Sequence, residues 1–195
     1  MNIATRNRAR WFVLLAPGFV AALLAQTVAY CTTAQVAAAP PQAKKPAEKP
    51  KQFEGNKPEP VSQTKDGSLT LPASKCEVFG KTLGYMKEDR ALGYWNSADD
   101  RAAWTLDVAK PGKFEVWFEW SCADDSAGNT FLLEIGKNQV KGKVPSTKKW
   151  ENHEKAKFGE IDVPAGKSRL EISAVGKITD ALYDLREVRL VPVKK

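Results

Sequence analysis

The chain has 195 residues, of which 43% are hydrophobic and 27% charged, and its formal net charge is +7. This composition is that of an ordinary soluble protein and suits one globular domain with extensions. The positive excess lies mostly in the first 66 residues, because from Gly67 onward the chain carries 21 basic and 19 acidic residues. A nearly neutral folded part without a basic stripe or a nucleic-acid motif argues against nucleic acid as a partner.

The N-terminus has the pattern of an export signal. Three arginines, Arg6, Arg8 and Arg10, precede an uncharged apolar run over residues 11–25. Basic residues before a short apolar core predict a signal peptide over residues 1–38. Small residues allow cleavage after one of three alanines: Ala29, Ala34 or Ala38. We therefore expect a secreted or periplasmic protein. The alternative is an uncleaved membrane anchor, since the apolar run extended to Tyr30 reaches about 20 residues.

Residues 39–66 are rich in proline and lysine and contain almost nothing apolar to bury. Such a composition predicts an extended, disordered linker. The folded domain is then expected over residues 67–195, which is enough chain for one β-sandwich core.

The clearest strand pattern covers residues 113–121. Its even-numbered positions are large and apolar, whereas its odd-numbered positions carry Glu115, Trp117 and Glu119. This alternation predicts a half-buried antiparallel strand. Residues 102–108 alternate likewise, and the Lys110-Pro111-Gly112 turn between the two segments predicts a β-hairpin. Trp117 lies on the polar face, where it either covers the outer sheet or forms a second binding platform.

Short strands with turns between them continue along the domain, and no window after the leader has helical periodicity. In the last strand, the alternation of inward-facing apolar residues shifts by one position near Arg186. This shift predicts a bulge or a change of partner there. Closely spaced short strands are typical of an all-β sandwich. The remaining predicted strands are 68–71, 76–79, 82–85, 130–135, 139–144, 157–163, 168–174 and 182–193.

The succession of these features resembles the family 6 carbohydrate-binding modules, and more broadly the galactose-binding-like jelly rolls appended to bacterial fucosidases and sulfatases. The resemblance covers about residues 72–192 and implies an antiparallel jelly-roll β-sandwich. It depends on the following segments in order: Gly93-Tyr94, Trp104, Lys110-Pro111-Gly112, Glu134-Ile135-Gly136, 145–150, Pro164-Ala165-Gly166 and 184–190.

This family resemblance implies a sugar held at the loop end of the sandwich by two aromatic residues and a polar residue of the last strand. By position these would be Tyr94, Trp150 and Asp184, with Trp95 and Asn96 in the same turn as Tyr94. Adjacent residues of an extended backbone face opposite ways, and the resemblance puts Tyr94 outward. Asp184 departs from the asparagine usually found there, and a structural calcium held by Glu77, Asp184 or the loop acids would fit this change.

Two cysteines fall within the predicted domain, Cys76 and Cys122. If Cys31 is removed with the signal peptide, an oxidising environment permits one disulfide between them. Two separate buried thiols are the alternative.

Catalytic signatures are weak. His153 is the only histidine and does not sit in a metallopeptidase or nucleophile-elbow motif. The acid pairs Asp99-Asp100 and Asp124-Asp125 lie in segments typical of turns. We therefore expect a non-catalytic domain that binds a glycan or polysaccharide. The alternative is an exported structural or protein-interaction sandwich that has no sugar site.

Overall fold

A computed structural model describes residues 48–194 of the chain. The predicted signal peptide, Cys31 and the first part of the predicted linker lie outside the described residues. Between residues 48 and 194, no helix is long and apolar enough to cross a membrane.

The described chain is built of twelve β-strands and one short 3₁₀ turn, Ala73–Lys75, which confirms the all-β prediction. Alternating side chains and turn residues account for this outcome, because strands such as Gly112–Ser121 and Thr130–Ile135 bury every second residue. The strands are β1 (Val61–Ser62), β2 (Leu69–Pro72), β3 (Glu77–Phe79), β4 (Gly84–Met86), β5 (Ala91–Gly93), β6 (Arg101–Val108), β7 (Gly112–Ser121), β8 (Thr130–Ile135), β9 (Asn138–Lys143), β10 (Glu154–Val163), β11 (Gly166–Val175) and β12 (Asp184–Pro192).

The strands form two sheets. The first has the order β1-β6-β11-β8-β9, with β3 also paired to β6; the second has the order β10-β7-β12-β5-β4, with β2 also paired to β12. All pairings are antiparallel except that of β1 with β6. Large buried aromatic side chains fill the core of this sandwich: Trp95, Trp104, Trp120, Tyr183, Phe114, Phe118 and Phe131.

The predicted hairpin of residues 102–108 and 113–121 is wrong. Strand β6 belongs to the first sheet and β7 to the second, so the turn at Lys110 carries the chain from one sheet to the other. Both strands do bury alternate residues, as predicted. A strand facing a second sheet has the same alternation as a strand in a hairpin, so the pattern could not identify its partner.

Two bulges adjust the second sheet. In β12 the register with β7 shifts between Leu185 and Glu187, which confirms the irregularity predicted at Arg186. In β10 it shifts between Lys157 and Gly159, leaving Phe158 as the extra residue. Phe158 packs against the aromatic core, with its ring centroid 4.7 Å from that of Phe118.

The folded domain begins earlier than predicted. Residues 48–66 were expected to be a disordered linker, but Val61–Ser62 forms β1 and Phe53 packs against the core. The Asn56 side chain is buried and its Nδ2 donates to the carbonyls of Ala73 and Cys76. A few apolar and amide side chains among many prolines and lysines are enough to anchor this segment, although its average composition resembles that of a linker.

Candidate ligand-binding cleft

A cleft of about 260 Å³ opens at one end of the sandwich. It lies where the chain leaves β5, where β12 begins, and beside the loop that leads into β10. Of the five predicted ligand residues, the structure brings four to this cleft: Tyr94, Asn96, Trp150 and Asp184. Met86, Asp180 and Ala181 complete its lining.

The fifth predicted residue, Trp95, does not reach the cleft. Its side chain is completely buried, and its Nε1 donates to the Asp100 carbonyl over 3.1 Å. Its ring packs edge-on against Tyr183 at a centroid distance of 5.5 Å. The alternation of neighbouring side chains that puts Tyr94 outside therefore makes Trp95 a core residue, and the prediction of ligand contact for Trp95 is wrong.

Tyr94 is the most exposed large hydrophobic side chain of the described residues, with 66% of its surface accessible. Its backbone has φ of 58°, in the left-handed region that favours glycine. For an L-residue this conformation costs about 1–2 kcal/mol. Because the Tyr94 side chain is exposed and its backbone is strained, Tyr94 does not stabilise the fold by burying its ring.

Most non-glycine residues with positive φ in the described chain lie at or near the cleft. Four non-glycine residues of the described chain have this geometry: Arg90, Tyr94, Lys148 and Asp180. Tyr94 and Asp180 line the cleft, and Lys148 lies in the loop that carries Trp150. Backbone strain of this kind persists only where the surroundings enforce it, and it is concentrated at functional sites.

A buried polar side chain organises each of the three loops that line the cleft. Asp100 accepts hydrogen bonds from the backbone of Thr82, Leu83 and Ser97 around the Tyr94 turn. Thr147 holds the Trp150 loop, because its Oγ1 accepts from the Cys122 amide over 2.9 Å. The cleft residues are thus supported by hydrogen bonds that the protein keeps out of water.

Asn129 has the same role for the loop between β11 and β12. Its Nδ2 donates to the carbonyls of Ser126, Thr179 and Ala181, and its Oδ1 accepts from the Thr179 amide. The sequence around Asn129 is typical of a turn. Nothing local in it indicates the long-range partners, which lie about fifty residues further along the chain.

Asn96 joins two of these loops. Its Nδ2 donates to the Asp180 carbonyl over 2.9 Å, and its backbone amide donates to Thr82 Oγ1 over 3.1 Å. The bond from Asn96 to the Asp180 carbonyl holds Asp180 at the cleft. Asp180 was missed by the sequence analysis, because an aspartate in a loop is ordinary turn chemistry.

Asp184 lies at the floor of the cleft, at the start of β12 and opposite Ser121 of β7. Among the described residues, no hydrogen-bond donor or cation contacts its carboxyl group. Burial, together with the nearby Asp89, raises the pKa of Asp184 to about 7. Gly93 packs closely against two cleft residues, because an added Cβ would approach Met86 Cε to 2.5 Å and Asp184 Oδ1 to 2.8 Å.

The calcium candidates Glu77 and Asp184 lie on different sheets. Glu77 lies on β3 of the first sheet and is bound to Arg169, whereas Asp184 belongs to the second sheet. Within residues 48–194, no cluster of three or more His, Cys, Asp or Glu side chains is arranged to hold a metal ion.

The two cysteines of the domain are free thiols, which corrects the predicted disulfide. Cys76 Sγ donates to the Ala73 carbonyl, whereas Cys122 Sγ lies 4.0 Å from the Leu182 carbonyl at the loop end of the sandwich. Burial raises the pKa of both thiols, that of Cys122 to about 11. The alternative of two separate buried thiols holds.

His153 lies 3.3 Å from Ser121, measured between Nε2 and Oγ. Its buried Nδ1 has no hydrogen-bond partner within the part of the chain that the structure describes. A catalytic serine triad requires a carboxylate at that nitrogen to orient the ring. The pair therefore lacks the third member of a triad.

Two other grooves are larger than the cleft. One, of about 360 Å³, crosses the outer face of the second sheet and contains Trp117, whose Nε1 donates to Glu115 Oε2 over 2.9 Å. The other, of about 490 Å³, lies at the opposite end of the sandwich beside Lys110 and Pro192. Neither contains a residue with positive φ other than glycine.

The fold is similar to the β-sandwich of several solved carbohydrate-binding modules. A family 35 carbohydrate-binding module from Clostridium thermocellum aligns with a TM-score of 0.54 at 14% identity, covering 65% of this chain and 98% of that one. The family 35 module of Cellvibrio japonicus Abf62 gives 0.53 at 17% identity, with coverages of 65% and 94%. The C-terminal family 6 module of the laminarinase LamC from Zobellia galactanivorans gives 0.51 at 16%, with 64% and 98%. No family model and no curated protein matches the sequence.

Proposed function

We propose that the domain is a non-catalytic carbohydrate-binding domain of an exported protein, in which a sugar stacks on Tyr94 and Trp150. The observation that carries the proposal is the strained, exposed Tyr94 in a cleft that also contains Trp150 and the unpartnered Asp184. A pyranose ring presents an apolar face to an aromatic ring, while its hydroxyls require fixed polar partners. The cleft offers both kinds of group.

The solved structures support this proposal at the level of fold, since three of them are carbohydrate-binding modules. Fold alone does not determine function, and it is the residues of the cleft that support sugar binding. Export is proposed from the basic and apolar leader over residues 1–38. N-terminal sequencing of the mature protein tests it, with cleavage expected after Ala29, Ala34 or Ala38.

The test of sugar binding is a glycan array with the purified protein and three variants. Trp150→Ala and Tyr94→Ala are each expected to weaken binding about tenfold or more, which corresponds to about 1.4 kcal/mol. Trp117→Ala is the matched control, because this tryptophan lies in the groove on the outer sheet. It is expected to bind as the wild type does.

Two results would contradict the proposal. If the wild type binds no glycan, the domain is better explained as an exported structural or protein-interaction sandwich. If Trp117→Ala alone abolishes binding, the sugar site lies on the outer sheet and the cleft is not the site. Circular dichroism of each variant separates lost binding from lost folding.

A further inference from the structure

The lining of the cleft contains two carboxyl groups and no cation. Asp180 and Asp184 are among its lining residues, and none of that lining is lysine, arginine or histidine. A third aspartate, Asp89, acts electrostatically on Asp184. A ligand in this cleft therefore meets carboxyl groups beside aromatic rings.

Two basic side chains on neighbouring segments, those of Lys148 and Arg186, have other partners. Lys148 Nζ lies 3.4 Å from Asp124. Arg186 donates from Nε to the Asp89 carbonyl, and its Nη1 lies 3.6 Å from Glu119. Neither of these contacts involves Asp184 or Asp180.

The Cys122 thiol, near the Leu182 carbonyl, is affected by the same acids. After burial, the charges that raise its pKa are those of four aspartates: Asp184, Asp125, Asp180 and Asp124. Burial is the main cause of the raised pKa of this thiol, and because a thiolate is disfavoured near anions the four aspartates raise it further.

Asp184 itself lacks a partner. Its carboxyl group is partly buried, and neither a hydrogen bond nor an ion pair reaches it from the described residues. A polar group taken from water without a partner is unfavourable, and a ligand that supplies a donor removes that penalty. A sugar hydroxyl would supply a hydrogen bond, whereas an ammonium group would also supply the missing positive charge.

We infer that the cleft selects glycans that carry a free amine and disfavours those that carry carboxylate or sulfate groups, with the ammonium placed beside Asp184 and Asp180. This inference rests on the proposed sugar-binding function and specifies its ligand class. The aromatic rings favour the same choice, because a cation near the face of tyrosine or tryptophan is attracted by the ring.

The experiment compares oligosaccharides that differ only at one substituent. Titration calorimetry near neutral pH measures binding of a β-1,4-linked glucosamine oligomer, its N-acetylated form, and an oligomer containing glucuronic acid. The wild type is expected to bind the free-amine oligomer at least tenfold more tightly than the N-acetylated form, and the glucuronic acid oligomer most weakly. Added salt is expected to reduce the amine preference, because screening weakens charge pairing.

Two variants locate the preference. In Asp184→Asn the ratio of amine to N-acetyl affinity is expected to fall toward one. Asp107 is an exposed residue next to the last residue of β6. In Asp107→Asn the ratio of amine to N-acetyl affinity is expected to stay at the wild-type value. The wild-type ratio is informative even if a variant fails to fold.

The outcomes separate this inference from the proposed function. Equal affinity for the amine and N-acetyl forms, or tighter binding of glucuronic acid, overturns the inference and leaves sugar binding standing. Binding of no glycan of any class overturns both. An amine preference that persists in Asp184→Asn overturns the role given to Asp184.

Discussion

Tyr94 and Trp95 are neighbours with opposite roles. Trp95 is buried and bonded to the Asp100 carbonyl, so it stabilises the core. Tyr94 is exposed in a conformation that only glycine adopts without strain. A residue that costs stability and buries little is best explained by contact with something outside the protein.

Replacing Tyr94 tests whether its backbone is strained. Tyr94→Gly is expected to be about 1 kcal/mol more stable than Tyr94→Ala, because glycine adopts φ near 58° freely and alanine does not. Urea unfolding of the two variants measures the difference.

The control for that prediction is Ala98, an exposed residue of the same loop that does not have positive φ. Ala98→Gly is expected to destabilise the protein relative to the wild type, because glycine loses more entropy on folding. If alanine proves better than glycine at both positions, Tyr94 is not strained.

Asp184 gives the pH dependence of stability. Its pKa is about 7 in the folded protein and near 3.9 in the unfolded chain. Between these values the folded state holds a proton that the unfolded state releases, so stability falls as pH rises from about 4 to about 7. Asp184→Asn is expected to raise the free energy of unfolding by about 1–3 kcal/mol at about pH 8 and to leave it unchanged at about pH 4. Urea unfolding at the two pH values measures this.

Asp107→Asn is the control for the pH-dependent stability predicted for Asp184→Asn. Asp107 is exposed and makes no ion pair within the described chain, so its variant is expected to have wild-type stability at both pH values. An Asp184→Asn effect that does not depend on pH would contradict the argument from ionisation.

At the level of elements, three loops from different parts of the chain form one cleft because three buried side chains hold them. Asp100, Asn129 and Thr147 make these bonds between loops and strands that are distant in sequence. Turn chemistry was predictable for the segments around Asp100 and Asn129. The particular partners were not, because they depend on how the sheets bring the loops together.

Substitution of Asn129 tests whether these hydrogen bonds stabilise the loops of the cleft. Asn129→Ala removes donors to three carbonyls and is expected to destabilise the protein by about 2–4 kcal/mol. Asn129→Asp is expected to be worse, because a carboxylate would face the same carbonyls without a donor. Both variants are expected to weaken glycan binding, since the loop carries Asp180. Urea unfolding and the glycan array measure the two effects.

Asn138→Ala serves as the comparison. The Asn138 side chain makes one exposed bond, to the Asp162 carbonyl, at the end of the sandwich away from the cleft. Its loss is expected to change stability by less than about 1 kcal/mol and to leave binding intact. Equal effects of Asn129→Ala and Asn138→Ala would contradict the role given to Asn129.

At the scale of the whole molecule, the segment before β1 is part of the domain. Lys51 pairs with Val78, Phe53 packs on the core and Asn56 is buried. A chain that starts at residue 61 is expected to melt about 10 °C lower than one that starts at residue 48, because it loses all three contacts. Thermal unfolding followed by circular dichroism measures the change.

The chain that starts at residue 48 is compared with the full chain in the same experiment, and the two are expected to melt together. Phe53→Ala in the longer chain is expected to reproduce part of the loss. If the chain starting at residue 61 is as stable as the others, residues 48–60 behave as the linker that composition predicted.

Local sequence patterns determined the long strands of this protein, their buried faces and one of the bulges. The alternation of side chains identified the long strands and their buried faces, and the phase change at Arg186 identified a bulge, because these features depend on backbone geometry within a few residues. The family resemblance added Tyr94, Asn96, Trp150 and Asp184, which the fold brings to one cleft.

Only the tertiary structure decided which strands pair, and it placed β6 and β7 in different sheets. It also separated Cys76 from Cys122, joined residues 48–66 to the core and left Asp184 without a partner. The physical reason is that alternation is a local property of an extended chain. Pairing, burial and charge depend instead on contacts between residues far apart in sequence, which form only when both sheets close on one core.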